Sequence, residues 1–461
     1  LDAESIKLRL GRFAMRERPE IIEMAKIASG RKEALWLVGG VVRDAALDRG
    51  LNDVDIAVDG DAAALAAQIA ISLDATYVPL HDDPPTARVV KDGFEYDLVA
   101  LRAPTIKEDL LLRDLRINAM AASLTPLGVG DLLDPADALS DIENRVIRAI
   151  SLDNLQSDPL RTLRVFRFMA QTDFKIDAQT LDWAKKAAAG LKSVAGERIF
   201  AEFIKLLRAP HAAKVLRLAQ QQDILSKIIT RQIGSSSESA ECPLSGVSFA
   251  PVEAFDTQSD LRRKLFDDFD GLSAMMKNDR LCGDPAIMKT AALFGEIPNG
   301  LKTLEASCER WKAPRRFCGA VARILELQNS LAIHVNNFSD GGEKKRIFAR
   351  YTQEAGDAWL ATASYALVAA GDLTNDYAAF FHDLLRAHRE IIDVVDSGPP
   401  LVDGSQLIEE LQIEAGPTVG LLLAEIRTER IAGAVNTADE ALELCRRLLA
   451  QSASLPPVLD R

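Results

Sequence analysis

A chain of 461 residues, 48% hydrophobic and 27% charged, has the length and composition of a globular protein with two to four domains. No run approaches the roughly 18 apolar residues of a membrane span, and the opening LDAESIKLRLGRF is charged where a signal peptide is apolar, so a cytoplasmic protein is expected. The formal net charge of −13 sets a condition on any nucleic-acid partner: affinity for a phosphate backbone comes from Lys and Arg, which must then gather on one face. Cys242, Cys282, Cys308, Cys318 and Cys445 are odd in number and lack CxxC spacing, suggesting neither a zinc site nor a disulfide framework.

Residues 1–30 read as a helix or two, with Ile21, Ile22, Met24, Ala25 and Ile27 forming an apolar face. Leu35 to Val38 is an apolar strand ended by Gly39 and Gly40, and Val41 to Leu47 reads as a short helix carrying Arg43. A helix N-terminus opening on glycines offers N–H groups and a partial positive charge to a phosphate, and Arg43 adds a full charge. Asn52 to Val58 alternates, which puts Asp53 and Asp55 on one face of a strand and Val54, Ile56 and Val58 on the other. Two adjacent carboxylates repel each other and cost desolvation unless a cation sits between them. Mg²⁺, held by one or two carboxylates with substrate phosphates and water, suits such a pair. Glycines for a triphosphate and aspartates for a metal make a nucleotidyl-transfer site; a surface turn with two solvated aspartates is the alternative.

GGVVRD followed by DVDIAV resembles motif A of the tRNA nucleotidyltransferase and poly(A) polymerase family. Further along, Asp61 to Leu73 reads as an alanine-rich helix, and Ala75 to Leu80 and Ala87 to Val90 as strands around a loop from His81 to Thr86. Phe94 to Leu101 is the next strand, with Asp97 amid apolar residues. The resemblance makes Asp97, just before Arg102, the third carboxylate, which positions the attacking hydroxyl or supports the metal; an edge-strand aspartate facing water is the alternative. EDLLLRDLRINAMAA (Glu108 to Ala122) resembles motif B in Arg113, Asp114 and Asn118, with Leu112 and Arg116 where the family has arginine and threonine, so a triphosphate contact is carried over only to Arg113. Asn118 reads equally as a core hydrogen-bonding residue. Asp131 to Arg148 occupies the family's flexible connecting motif, with Ala138 and Leu139 in place of its glycine pair.

Ser157 to Phe168, SDPLRTLRVFRF, reads as a helix with Asp158 as N-cap and Pro159 at the first helical position. Arg161, Arg164 and Arg167 recur every third residue, a pattern that also suits a solvated face. On the Watson–Crick edge, cytosine and adenine both present an amino donor beside a ring-nitrogen acceptor, whereas guanine and uracil present a carbonyl beside an N–H. Aspartate accepts and arginine donates, so Asp158 with Arg161 suits C and A and mispairs with G and U. The segment resembles the family's nucleotide-selecting motif EDxxR, with Ser157 in place of the glutamate; Arg164 matches the next arginine and by resemblance also touches the nucleotide.

FKID and GERIFAEFIKLL continue the resemblance, with Glu197, Arg198, Glu202 and Lys205 on a scaffold helix. Arg198, Lys205, Arg208, Lys214 and Arg217 offer a basic face. Gly234 to Ser239 reads as a linker or long loop, helices follow to Leu331, and a break falls at Ser339 to Gly342. His382-Asp383 has no companion histidines at metal-ligand spacing, and Pro399 to Leu449 resembles the tail of bacterial CCA-adding enzymes, expected to grip the tRNA body.

The resemblance implies an α+β protein: a polymerase-β-like nucleotidyltransferase head with a small mixed β-sheet (1–150), then an all-helical neck with the selecting motif (151–232), body (233–395) and tail (396–461). It implies addition of CMP and AMP from CTP and ATP to the 3′ end of tRNA without a template, dependent on Mg²⁺ and releasing pyrophosphate, with Asp53, Asp55 and Asp97 catalytic, the first two on the metal, and Gly39, Gly40, Arg43, Arg113, Asp158, Arg161 and Arg164 on the nucleotide. The alternatives are a poly(A) polymerase, which the acidic YVPLHDDPPTARV and acidic chain disfavour, a CC-only or A-only relative, and a catalytically silent RNA-binding protein. The oligomeric state is not legible.

Overall fold

The computed structural model describes residues 2–232, 239–241, 244, 246–256, 272–338, 342–370 and 376–452. The chain forms two compact units, Leu1–Ile229 and Thr230–Arg461.

The first unit opens with α1 (Ala3–Arg12) and α2 (Glu20–Gly30), joined by a π-helical turn at Phe13–Glu17. Asp2 caps α1 through the Glu4 N–H, and Ile21, Met24 and Ala25 are buried, with α2 against the sheet. The head then runs β1 (Ala34–Val38), α3 (Gly40–Ala46), β2 (Val54–Asp59), α4 (Ala62–Leu73), β3 (Thr76–Asp82), β4 (Pro85–Lys91), β5 (Phe94–Ala100), α5 (Ile106–Leu111), β6 (Ala121–Thr125) and β7 (Gly128–Leu133). One mixed sheet has the order β3-β4-β5-β2-β1-β6-β7, with only β2 and β5 parallel. That parallel pair sets Asp55 opposite Asp97. Strand alternation does the rest: Val54, Ile56 and Val58 are buried, as are Tyr96 and Leu98 on β5.

Three expectations change here. β2 begins at Val54, so Asp53 stands just before the strand. β5 lies between β4 and β2, so Asp97 is not on an edge. The expected loop from His81 to Thr86 is a tight hairpin, because β3 and β4 pair out to Asp82 and Pro85 across Asp83-Pro84. Proline at the first residue of a strand costs no ladder bond that its neighbour needs, and the pattern-based reading stopped at it.

The connecting segment supplies α6 (Ala138–Glu143), whose opening N–H groups at Ala138 and Leu139 donate to the Asp134 carboxylate at 2.7 and 2.9 Å. The residues in place of a glycine pair are thus a capped helix start. After the short parallel pair β8 (Val146–Ile147) and β9 (Lys175–Ile176) the unit is helical: α7 (Leu152–Ser157), α8 (Leu160–Thr172), α9 (Ala178–Ala187), α10 (Gly196–Arg208) and α11 (Ala212–Gln221). Helix α8 buries Leu163, Val165 and Phe166, packs against α10 and α11, and starts at Leu160 with Pro159 immediately before it.

Among the described residues of the second unit the regular structure is helical apart from the pairing of Thr230–Gln232 with Ser239–Glu241. That pairing replaces the part of the expected linker at Ser239; residues 233–238 and 339–341, where the linker and the later break were read, lie outside the described residues. Lys289 is buried against Asp256, Nζ to Oδ1 2.6 Å, a placement a lysine tolerates only with such a partner. His382 and Asp383 lie on the helix Asp376–Ala387, where Asp383 pairs with Lys344 at 3.2 Å. The last helices, Gly404–Leu411, Pro417–Ala432 and Ala438–Ser452, bury Leu407, Leu422, Ile426 and Ala441 together, and Arg346 clamps Glu429 with two hydrogen bonds of 2.8 and 2.9 Å. Contrary to the cysteine reading, Cys308 and Cys318 form a disulfide, Cα to Cα 6.4 Å. Three residues separate Gly300–Trp311 from Arg315–Asn336, so the last turn of one helix meets the first turn of the next, a proximity that spacing along the sequence hides.

Candidate active site

Every residue expected to touch nucleotide or metal lines one cleft of about 880 Å³ in the first unit: Gly39, Gly40, Arg43, Asp53, Asp55, Asp97, Arg113, Asp158, Arg161 and Arg164. Cationic side chains slightly outnumber carboxylates around it, in a chain whose net charge is −13. The cleft is therefore close to charge balance, less acidic than the chain as a whole.

The turn from β1 into α3 is tight because Gly39 has φ 66° and ψ −119°. A Cβ there would lie 2.9 Å from Arg113 Nη1 and 3.3 Å from Asp55 Oδ2, so glycine is required both for the backbone and to let these two charges approach. Arg43, one turn into α3, is fixed on three sides: two hydrogen bonds of 3.0 Å to Asp44, one of 2.8 Å to Asn118 Oδ1, and the Phe168 ring 4.9 Å from its guanidinium carbon.

Asp53 and Asp55 accept no hydrogen bond and make no ion pair with the described residues, although Asp55 is half-buried. Burial pushes the Asp55 carboxyl above its ordinary value; Arg113 opposes this, while Asp97 and Asp53 add to it. A carboxylate held this way, beside a second with no partner, is a donor set short of a cation, and two hard oxygen donors fit a divalent ion. Asp97 differs. Arg88 grips both its oxygens, Nε to Oδ1 2.7 Å and Nη2 to Oδ2 2.9 Å. Among the described residues no group of three or more His, Cys, Asp or Glu is arranged to hold a metal ion.

Arg113 is mostly buried, its Nε fully so and lacking a hydrogen-bond partner, and burial lowers its pKa despite Asp109 at 3.6 Å. Asp109 is itself held by Arg102, whose Nε and Nη2 reach it at 2.8 and 3.1 Å. An incompletely satisfied guanidinium beside a glycine turn is suited to a phosphate oxygen. Asp114 is buried too; burial would raise its carboxyl, but Arg164 at 2.6 Å, Asn118 and the Leu115 N–H hold it well below the usual carboxylate range.

Helix α8 faces this assembly. Arg161, Arg164 and Arg167 are not a solvated face: all three line the cleft, and Arg167 is buried with its Nε 2.7 Å from Glu202. Arg164 is committed to Asp114. Asp158 does not cap α8 strongly, its Oδ1 lying 3.4 Å from the Leu160 N–H, and its Oδ2 accepts from Arg198 at 2.8 Å. Arg161 donates from Nη1 to the carbonyls of Leu112 and Asn154, each at 3.0 Å, while Nε and Nη2 make no hydrogen bond to the described residues.

Sequence reasoning missed Arg88 and Glu202 as lining residues. Arg88 had no flag within an ordinary strand; Glu202, a carboxylate beside the buried Ile199 and Phe203 on α10, carried a legible one.

Two families match the chain: "Poly A polymerase head domain" over residues 35–148, and "Probable RNA and SrmB-binding site of polymerase A" over 173–231. A CC-adding tRNA nucleotidyltransferase of Geobacter sulfurreducens is 41% identical over 206 residues, spanning 44% of this chain and about half (47%) of that protein. A CC-adding tRNA nucleotidyltransferase of Synechocystis is 30% identical over 416 residues, 89% of this chain and 93% of that one. The solved structure of a Thermotoga maritima CCA-adding enzyme complexed with tRNA superposes with a TM-score of 0.69 at 22% identity, covering 97% and 99% of the two chains, which is a likeness of fold. With identity sustained over nearly the whole of a relative, and the head and its cleft built as described, the chain belongs to the tRNA nucleotidyltransferase and poly(A) polymerase family of nucleotidyltransferase enzymes.

Proposed function

We propose that this protein is a CCA-adding tRNA nucleotidyltransferase, joining CMP and AMP from CTP and ATP to the 3′ end of tRNA without a nucleic-acid template. One observation carries the reading: an unpartnered carboxylate pair, a glycine turn with a mostly buried arginine, and an aspartate–arginine pair suited to the Watson–Crick edges of C and A all face the same cleft. Nucleotidyltransferases of this family generally use a divalent metal; we assign it as Mg²⁺, held by Asp53 and Asp55, where it would offset charge at the α-phosphate and favour the ionised 3′-hydroxyl.

This chain's own residues do the rest. Gly39 and Gly40 allow the triphosphate close to the N-terminus of α3, and Arg43 and Arg113 neutralise its oxygens. Asp158 accepts the amino group of the base and Arg161 donates to its ring nitrogen, an arrangement that C and A both satisfy. Asp97 orients the incoming hydroxyl once Arg88 shares it. The basic residues Arg198 and Lys205 approach the RNA end, and the units beyond the head divide, in this reading, into neck (151–232), body (233–395) and tail (396–461), with the tail on the tRNA body. No helix among the described residues is long and apolar enough to cross a membrane.

A second reading, addition of CC only, is favoured by the names of the Geobacter and Synechocystis relatives. Both readings require catalysis, which separates them from a silent RNA-binding protein. Asp53→Ala is expected to lower nucleotide addition by about a thousandfold, the several kcal/mol of charge stabilisation a metal supplies, and to leave tRNA binding in a gel-shift within about twofold. Unchanged addition by that variant would overturn the assignment of the site.

A further inference from the structure

Arg161 carries half of the base-reading pair, yet among the described residues no acidic side chain holds it; its two anchors there are backbone carbonyls, Leu112 O and Asn154 O, on different segments of the chain. A guanidinium held by two carbonyls keeps its aim only if those carbonyls keep their separation. The Asn154 side chain spans that gap. Its Nδ2 amide donates to Leu111 O at 2.8 Å and to Arg113 O at 2.7 Å, so both its hydrogens are spent on the carbonyls of the residues on either side of Leu112. Asn154 itself is fixed on α7: its N–H donates to Ser151 Oγ at 3.0 Å, and its carbonyl also accepts from Ser157 Oγ at 3.1 Å. A single residue therefore presents one acceptor of Arg161 and locks the backbone that presents the other. The same clamp fixes the backbone of Arg113, so the base-reading and phosphate-holding arginines share one support.

We infer that Asn154 is a specificity-determining positioning residue, which sets the aim of Arg161 on the base and couples it to Arg113. The inference rests on the nucleotide-selecting reading of Asp158 and Arg161. Asn154 makes no contact with substrate in this account; it acts through the carbonyls of residues 111–113.

Without the Nδ2 donors, the Leu112 carbonyl moves independently of the Asn154 carbonyl, and Arg161 can turn to meet a base carbonyl that the intact clamp holds it away from. The penalty that rejects U and G depends on groups that cannot rearrange to escape mispairing. Loosening them shrinks the difference between right and wrong bases more than it slows the right one. Asn154→Asp is the sharper variant, since it keeps size and backbone while turning a double donor into an acceptor facing two carbonyls; Asn154→Ala removes the clamp without introducing repulsion.

The experiment measures kcat and KM for single additions of CMP, UMP and GMP to tRNA ending before CCA, with wild type, Asn154→Ala and Asn154→Asp, each checked for folding by its thermal transition. The expected result is CMP addition within about tenfold of wild type, discrimination against UMP reduced about tenfold or more, and a raised KM for CTP because Arg113 is loosened too. A merely structural role scales all additions together and leaves the ratio untouched, and that result in either folded variant overturns the assignment of Asn154 while the functional reading stands. Failure of the wild type to add CMP overturns both. If Asn154→Asp does not fold, the ratio in Asn154→Ala decides.

Discussion

Asp55→Asn is expected to yield a protein that melts at a higher temperature than the metal-free wild type and adds nucleotide about a thousandfold more slowly. The two effects have one cause. In the folded chain burial, with Asp97 and Asp53 nearby, raises the Asp55 pKa, and Arg113 only partly offsets this. For an acid whose folded pKa lies above its unfolded one, the unfolded state holds its proton less well. Stability therefore falls as pH rises from the unfolded value through the folded one, and above that window the full cost of the charged group persists. Asparagine has nearly the same shape and no charge, so at neutral pH it removes that cost. It also removes an oxygen donor for the metal, which accounts for the loss of rate. Thermal melts of both proteins with and without Mg²⁺ check this: Mg²⁺ should raise the transition of the wild type and leave that of Asp55→Asn nearly unmoved. A variant less stable than the metal-free wild type would show that Asp55 is a satisfied structural carboxylate.

The second large effect falls on base choice. Asp158→Ala and Arg161→Ala should each lower discrimination between C and U by about ten- to a hundredfold, because a mispaired buried donor or acceptor costs roughly 1–3 kcal/mol and each variant deletes one such penalty. The two are not equivalent. Removing Asp158 also strips Arg198 of its partner at 2.8 Å, leaving a half-exposed cation at the rim, so CMP addition should suffer in KM through altered approach of the RNA. Arg161→Ala frees only the carbonyls of Leu112 and Asn154 and should act on the nucleotide. Competition of CTP with UTP on one tRNA, read by product mass, gives the ratio directly; an unchanged ratio in both variants would place base selection elsewhere.

The head was legible because its chemistry is local in sequence. An apolar run stopped by Gly39 and Gly40, and a strand whose Asp55 interrupts Val54, Ile56 and Val58, announce themselves through a few residues and an alternation. The paired reading of Asp158 and Arg161 drew on donor–acceptor complementarity and on the resemblance to the family's selecting motif. What the sequence hid is long-range. Asn154 acts on backbone 41 to 43 residues away, and Arg88 meets Asp97 through sheet register. Arg164 shows the same limit from the other side: its nucleotide contact was implied by resemblance, while the buried Asp114 fifty residues earlier that takes its Nε had no local signal. Asp158 as an N-cap was a sound local inference that lost to an ion pair with Arg198 on another helix. In the second unit helices were foreseen, but neither the Lys289–Asp256 pair nor the Cys308–Cys318 bridge has any signature in composition or spacing.

The most direct measurement is extension of tRNA ending before CCA by the pure protein with Mg²⁺, supplied with CTP and ATP together and each alone, with product lengths read on a gel. The account expects growth by three nucleotides with both, and by two with CTP alone. Growth by two even when ATP is present would establish CC addition, and one residue added only to a CC-ended tRNA would establish A addition. A long ladder with ATP alone, or no product under any condition, would contradict the account.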